Sequence, residues 1–398
     1  MKYSTKFSLL IFTTFVSFAA EARLYNYEDM PVGQRSFGMG NTGMAVTDDV
    51  GNVYFNPSVL SWAEGNQIAA SVSAYSRIDT RTGEFVSLFK SAADNVNRGG
   101  FLSVPSTVGG FLAKGNLTWG GAVLVPNAFK SAGSLDIGGD RVTSFESEFE
   151  DIWINGFASW KLDAHTSLGL GLFYVSRLFN EKFTFLDNST GTLAIRFREQ
   201  MWDVNGATAI LGVTRKLSDD FLWGASLRLP VWKWGGTGKL SSVESGASEI
   251  INGDFVPTAF PMPMRLSLGA FYRFNVKHAF SADLHAYAPL KENMHPDNQS
   301  AFQVDLKAIA NLHLGYEYFL KKSLGFRFGF FTNMSSARKL DSQISAINDK
   351  VHMFGATGAL VLAKDSGEVV LGGWAQGGQG RARSVDPENA DAVPRSNY

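Results

Sequence analysis

The stretch Arg265-Leu266-Ser267-Leu268-Gly269-Ala270-Phe271-Tyr272-Arg273-Phe274 changes character at nearly every residue. Leu266, Leu268, Ala270, Tyr272 and Phe274 form one stripe, and Arg265, Ser267, Gly269, Phe271 and Arg273 form the other. Successive side chains of a β-strand point to opposite faces, so a strand with lipid on one side and a polar interior on the other reads apolar, polar, apolar. Leu168, Leu170, Leu172 and Tyr174 against Ser167, Gly169 and Gly171 repeat the pattern. So do Leu324, Phe326, Phe328 and Phe330 against Ser323, Gly325, Arg327 and Gly329. From Gln67 onward such segments follow one another, separated by turns that are short, then long, then short again. The repetition predicts an all-β, antiparallel transmembrane β-barrel threaded up and down through a membrane.

Composition agrees. Charged residues make up 18% of the 398, against roughly a quarter in soluble domains. Gly (41) and Phe (32) are abundant, and the mean hydropathy of −0.04 is too low for a bundle of membrane helices but natural where half of each strand is polar. The net charge of −1 lacks the basic excess of a nucleic-acid surface. Cysteine is absent, which removes disulfide and thiol chemistry. Lys2 and Lys6 flank the start of an apolar run, Phe7 to Phe18, followed by Ala20-Glu21-Ala22 before Arg23. This pattern predicts a secretory signal peptide over 1–22.

Strand-like segments number thirteen: about 67–78, 103–114, 116–127, 149–162, 165–185, 192–217, 220–234, 262–275, 277–289, 302–320, 323–333, 351–363 and 367–377. Longer connections cover 79–102, 128–148, 235–261, 290–301 and 334–350, while the link at 186–191 breaks the alternation of lengths. Short periplasmic turns and long extracellular loops are the habit of outer-membrane barrels, so the first strand should run outward. Residues 23–66 do not alternate and are rich in Gly. A barrel of about fourteen strands has a lumen wide enough to need filling, so 23–66 is read as a plug, or hatch, and 67–398 as the barrel. An even strand number is the rule for such barrels. Residues 378–398, with Arg381, Arg383, Asp386, Glu388, Asp391, Arg395 and two prolines, read as loop, so the sequence is expected to stop short of a closing fourteenth strand.

The run Gly33-Gln34-Arg35-Ser36-Phe37-Gly38-Met39-Gly40-Asn41-Thr42-Gly43-Met44-Ala45-Val46-Thr47-Asp48-Asp49, followed by Tyr54-Phe55-Asn56-Pro57-Ser58-Val59-Leu60, resembles the hatch of FadL-type outer-membrane transporters of long-chain fatty acids and other hydrophobic molecules. That family has a Gly-rich stretch, an A-x-x-D element and then Asn-Pro-Ala, so Ser58 departs from it. Leu222 to Pro230 and Leu266 to Phe274 also resemble its strands. The resemblance implies a fourteen-stranded barrel closed by the hatch, and passive uptake of a hydrophobic ligand. The ligand would lodge first among outer loops, then in an interior pocket, and leave sideways at a kink in the third strand. Gly120, Gly121 and Pro126 lie in that strand, where Gly and Pro mark bends or missing ladder bonds; Pro126 as a simple strand end is the alternative.

Other motifs are weaker. Gly38, Gly40 and Gly43 fit G-x-G-x-x-G, but no buried strand precedes them and no βαβ unit surrounds them, so close packing and positive φ in a plug are preferred to a dinucleotide site. Arg228, Arg273, Asp283, His285, His313, Glu317 and Arg327 fall on lumen-facing positions. Of these, Arg228, Arg273 and Arg327 could pair with a ligand carboxylate, against the simpler reading that lumen charges pair with one another or with the hatch. Phe85, Leu88 and Phe89, with Phe255 and Phe260, are candidates for a hydrophobic groove in the loops. No metal-ligand cluster and no cofactor motif stand out, and no spacing singles out a nucleophile for a lipid hydrolase. A non-transporting, PorV-type role in protein secretion is the remaining alternative. The expected setting is a monomer in a Gram-negative-type outer membrane, in contact with its lipid, the barrel-assembly machinery and a hydrophobic small molecule.

Overall fold

Strands form where the two-residue period runs. The computed structural model describes residues 25–28, 30–73, 76–80, 96–100, 104–136, 140–188, 191, 193–244, 251–296, 303–338, 347–364, 367–384 and 395–397. The signal-peptide segment 1–22 and the candidate loop residues Phe85, Leu88 and Phe89 lie outside them. The strands are β1 (Gln67–Ser73), β2 (Ser76–Thr80), β3 (Val96–Gly100), β4 (Val104–Lys114), β5 (Leu117–Asp136), β6 (Arg141–Lys161), β7 (Thr166–Asp187), β8 (Ala194–Ser218), β9 (Phe221–Arg228) and β10 (Trp232–Glu244). They continue with β11 (Ile251–Phe255), β12 (Arg265–Asn275), β13 (His278–Tyr287), β14 (Leu290–Asn293), β15 (Gln303–Leu306), β16 (Ile309–Lys321), β17 (Leu324–Asn333), β18 (Ile347–Lys364), β19 (Gly367–Ser384) and β20 (Arg395–Asn397).

One antiparallel sheet runs β1-β4-β5-β6-β7-β8-β9-β12-β13-β16-β17-β18-β19-β20, with the β10–β11 hairpin joined to β8. The first thirteen strands of this path correspond to the thirteen alternating segments. Burial follows the alternation. Leu266, Leu268 and Tyr272 are 51%, 50% and 45% exposed, whereas Arg265, Ser267 and Phe271 are buried. The exposed stripe is the face for lipid, and the buried one meets residues 25–66.

Those residues lie inside the sheet. Gly33 N donates to Thr107 of β4, Phe55 O accepts from Ser226 of β9, and Thr42 shares a hydroxyl contact with Ser281 of β13. Gly40 N donates to Thr357 of β18, and Asn26 Nδ2 to the Asn333 carbonyl of β17. Partners spread over strands all along the sheet, all on the buried face, leave only the interior for this segment.

Several expectations need correction. Segment 302–320 divides into β15, which pairs with β14, and β16, and segment 220–234 ends as a wall strand at Arg228. The first segment ends at Ser73, and β2 pairs with β3 in a separate two-stranded sheet. The connection 128–148 is largely strand, because β5 continues to Asp136 and β6 starts at Arg141; likewise β10 and β11 occupy much of 235–261. About 9–11 residues span a bilayer, so β5 to β8, with 20 to 25 residues each, project well beyond it, where no lipid-facing stripe is needed. Residues 378–384 continue β19 instead of forming a loop, since a strand outside the membrane tolerates Gln379, Arg381 and Arg383. Finally, Pro126 does not end its strand: β5 runs on past it, with a register shift against β6 between Leu124 and Asn127. Among the described residues the sheet is not closed, and β20 pairs with β19 only at Arg381–Arg383.

Placing a charge on the lipid stripe should destabilise the barrel. Leu268→Arg is expected to cost about 2–4 kcal/mol if the residue sits near the bilayer midplane. Urea titration of the protein in lipid vesicles, followed by tryptophan fluorescence, measures it; a cost near zero would place Leu268 away from lipid.

Candidate functional site

Residues 25–66 are fastened to the strands through Asn56-Pro57-Ser58. Pro57 opens a 3₁₀ turn, Pro57–Trp62, and Asn56 caps it by accepting from the Ser58 amide at 3.2 Å and the Ser58 hydroxyl at 2.7 Å. Asn56 Nδ2 donates to Met44 O at 2.8 Å and to Thr214 Oγ1 at 2.9 Å. Ser58 O accepts from Ser159 Oγ and Ser167 Oγ at 3.0 and 2.9 Å, and its hydroxyl lies 2.7 Å from Thr214 Oγ1. Ser at this position therefore has a partner that Ala would lack. Asp49, unremarked in the sequence, gathers the amides of Gln34, Arg35, Ser36 and Gly51 at 2.7 to 3.0 Å. Of Gly38, Gly40 and Gly43 only Gly40 has positive φ, at 68°. A Cβ on Gly38 would lie 2.7 Å from the Arg327 Cβ, and one on Gly43 would lie 2.6 Å from Asn52 Oδ1. No nucleotide phosphate fits a loop packed that closely.

Towards the short turns, Glu317 sits between two guanidiniums. It binds Arg35 Nη2 at 2.7 Å and Arg327 Nε at 2.7 Å, and Arg327 also takes Glu368 at 2.9 Å through both terminal nitrogens. Arg327 is thereby neutralised within the protein. Arg273 is exposed and lines a polar recess of about 830 Å³ at this end with Gln34, Asp48 and Lys277.

Towards the long hairpins the lumen is aromatic, lined by Tyr54, Phe55, Phe149, Trp153, Phe179 and Trp202, all buried. Arg228 and Arg265 are directly cross-strand from one another on β9 and β12, and both are fully buried. The Arg228 Cζ lies 5.6 Å from the ring centroids of Trp153 and Tyr287, and the Arg265 Cζ lies 4.9 Å from that of Tyr54. Arg265 Nη2 donates to Tyr54 O at 2.6 Å, but among the described residues Arg228 Nε and Arg265 Nε and Nη1 find no hydrogen-bond partner. Like charges facing each other across strands repel, and unpaired donors in a dry interior are costly, so this pair is a ready receptor for an anion.

The segment between β11 and β12 closes over this chamber. Phe255, Phe260 and Met262 are buried, so the two phenylalanines fill the mouth instead of lining an open groove. Pro261 O accepts from Arg177 Nη1 at 3.0 Å and Pro263 O from Arg228 Nη2 at 3.4 Å. Arg177 is held by Asp151 at 2.6 and 2.8 Å, and Asp151 also accepts from Asn127 at the β5 bulge. At that bulge the β4–β5 ladder ends at Leu124, and Met30 N donates to Pro126 O. Gly120 and Gly121 lie below it, within the paired part of β5.

Sequence reasoning also missed a cluster of Glu28, His285 and His313, whose ligand atoms lie within 4.8 Å of one another. Burial opposes ionisation of Glu28, but the His313 imidazole beside it, with hydrogen bonds from His313 and Tyr287, holds its carboxyl down to about 2. Ser267 hydrogen-bonds His285, which has the look of a nucleophile and base, yet both are fully buried and Glu28 hydrogen-bonds His313 instead. That is a poor arrangement for hydrolysis.

No protein-family model matches the chain, and no curated protein matches it. Solved structures do. The chain is similar to the toluene transporter TodX of Pseudomonas putida, at 16% identity over 93% of this chain and 96% of that one, with a TM-score of 0.65. It is similar to a FadL homologue of Pseudomonas aeruginosa, at 12% identity over 94% and 96%, TM-score 0.64. The Ralstonia pickettii toluene transporter TbuX follows at 16% identity over 87% and 97%, TM-score 0.54. At these identities the likeness is one of fold.

Asn56→Ala should loosen the inner segment around Pro57–Trp62 and leave the wall intact. The amides of Ser58 to Trp62 are expected to lose about 1–3 kcal/mol of protection in hydrogen exchange, with strand amides unchanged. Equal protection in both proteins would remove Asn56 as an anchor.

Proposed function

From the fold shared with FadL-type channels, we propose that this chain is an outer-membrane channel for passive uptake of hydrophobic molecules, long-chain fatty acids among them. The observation that carries the fatty acid is the buried Arg228–Arg265 pair, which lacks a carboxylate partner among the described residues and is surrounded by aromatic rings. A guanidinium pairs strongly with a carboxylate, and the rings suit an acyl chain. Of the arginines suggested by the sequence, Arg228 is the one with this setting; Arg327 already holds two carboxylates and Arg273 faces water. The ligand enters beneath the segment carrying Phe260 and Met262, and leaves sideways at the β5 bulge, where the ladder to β4 ends. Residues 23–66 act as the plug that keeps this route from being an open pore.

Two experiments test it. In liposomes the purified protein should speed transfer of a fatty acid and of an aromatic hydrocarbon without nucleotide. Arg228→Ala should slow the fatty acid about 10- to 100-fold, the loss of about 1.5–3 kcal/mol for a charged hydrogen bond, and leave the hydrocarbon unchanged. Equal slowing of both would reject the carboxylate site, and no acceleration of either would favour the secretion role. Separately, deleting about residues 30 to 60 should sharply raise single-channel conductance in planar bilayers, because the unplugged lumen is wide. Unchanged conductance would rule out the plug.

A further inference from the structure

We infer that Glu28, His285 and His313 form a binding site for one divalent transition-metal ion of the zinc type, joining the hatch to the barrel wall. The three come from separate elements: Glu28 from the hatch, His285 from β13 and His313 from β16. All are fully or almost fully buried, and their ligand atoms already lie within 4.8 Å of one another.

The outer contacts prepare each side chain as a ligand. His313 Nδ1 lies 2.7 Å from Gly40 O, and since a carbonyl only accepts, Nδ1 carries the proton and Nε2 is turned towards Glu28 Oε2. His285 Nδ1 is engaged by Ser267 Oγ at 2.8 Å, while its Nε2 has no hydrogen-bond partner among the described residues. Glu28 Oε1 accepts from Tyr287 OH at 2.7 Å, which leaves Oε2 for the ion. A carbonyl, a hydroxyl and a phenol thus orient two imidazoles and a carboxylate, as outer partners do in metal sites.

Two nitrogen ligands and one oxygen suit zinc and its neighbours, whereas magnesium and calcium prefer oxygen alone. Charge around the site is shared between two carboxylates and two guanidiniums: Glu28 and Asp283, the latter cross-strand from His313, face Arg265, cross-strand from Tyr287, and Arg228 beyond it, so the ion is held by its ligand set and not by an excess of negative charge. In the metal-free state a proton lies between His313 Nε2 and Glu28 Oε2. The ion takes its place, bonds to both atoms and to His285 Nε2, and releases that proton to solvent.

The test uses tag-free full-length protein in detergent, stripped with chelator and titrated with Co(II), with visible absorption as the readout and metal analysis after Zn(II) loading as the check. About one equivalent should bind. His285→Gln and Glu28→Gln should weaken Co(II) binding by at least about a hundredfold, Ser267→Ala by about 10- to 100-fold, and His278→Gln not at all. If either ligand variant fails to fold, Ser267→Ala and the wild type decide. A folded, heat-modifiable wild-type barrel that takes up no equivalent overturns the proposal, as does undiminished binding by the variants.

Discussion

Everything inside this barrel depends on one demand: an irregular backbone segment buried in a lumen must have its amides and carbonyls satisfied there. The wall supplies the partners. Thr107, Ser159, Ser167, Thr214, Ser226, Ser281 and Thr357 all project inward and bond residues of the 33–58 segment. Between them small residues such as Gly169, Gly315 and Gly329 let its backbone lie directly against the strands. The polar half of the alternation is therefore addressed to protein more than to water.

Charge inside the lumen is handled in three ways. Glu317 is shared by two guanidiniums, and removing it would leave the buried Arg35 with no carboxylate nearer than Asp48 at 3.9 Å, the kind of change that typically costs about 3–5 kcal/mol. Arg177 is clamped by Asp151 and ties the bulge in β5 to the covering segment. Arg228 and Arg265 are instead left facing each other across strands, stabilised mainly by aromatic faces. Such an imbalance is unusual in a protein interior, where buried charges are otherwise paired.

The period of two made the thirteen wall segments legible, because lipid on one side forces alternation on every residue that meets it. Beyond the bilayer the force is gone. The upper part of β5 and β6 and the end of β19, with Ser131, Gly133, Gln379 and Arg381, read as loop though they are strands. Arg228, Asp283, His285, His313, Glu317 and Arg327 are buried while Arg273 of the same set is exposed, and which of them meet is not written in the alternation. Several partners lie in residues 25–66, hundreds of residues away: Glu28 for His313, Arg35 for Glu317, and the Gly43 and Met44 amides for Asp283, none of which leaves a spacing motif. Asp49 was hidden for a similar reason, since its partners are backbone amides, which any sequence supplies.

The covering segment Phe260-Pro261-Met262-Pro263 has a property that its buried rings do not announce. Proline has no amide hydrogen, so at Pro261 and Pro263 the chain offers oxygens alone, and these oxygens sit on Arg177 and Arg228. The chain thus sets a neutral acceptor, held at 3.4 Å, where the proposed carboxylate would meet Arg228, and lifting the segment strands no donor at either proline. On that proposal, entry of an acid would be an exchange of one oxygen for a better one, and a guest without a carboxylate would have to displace the rings by shape alone.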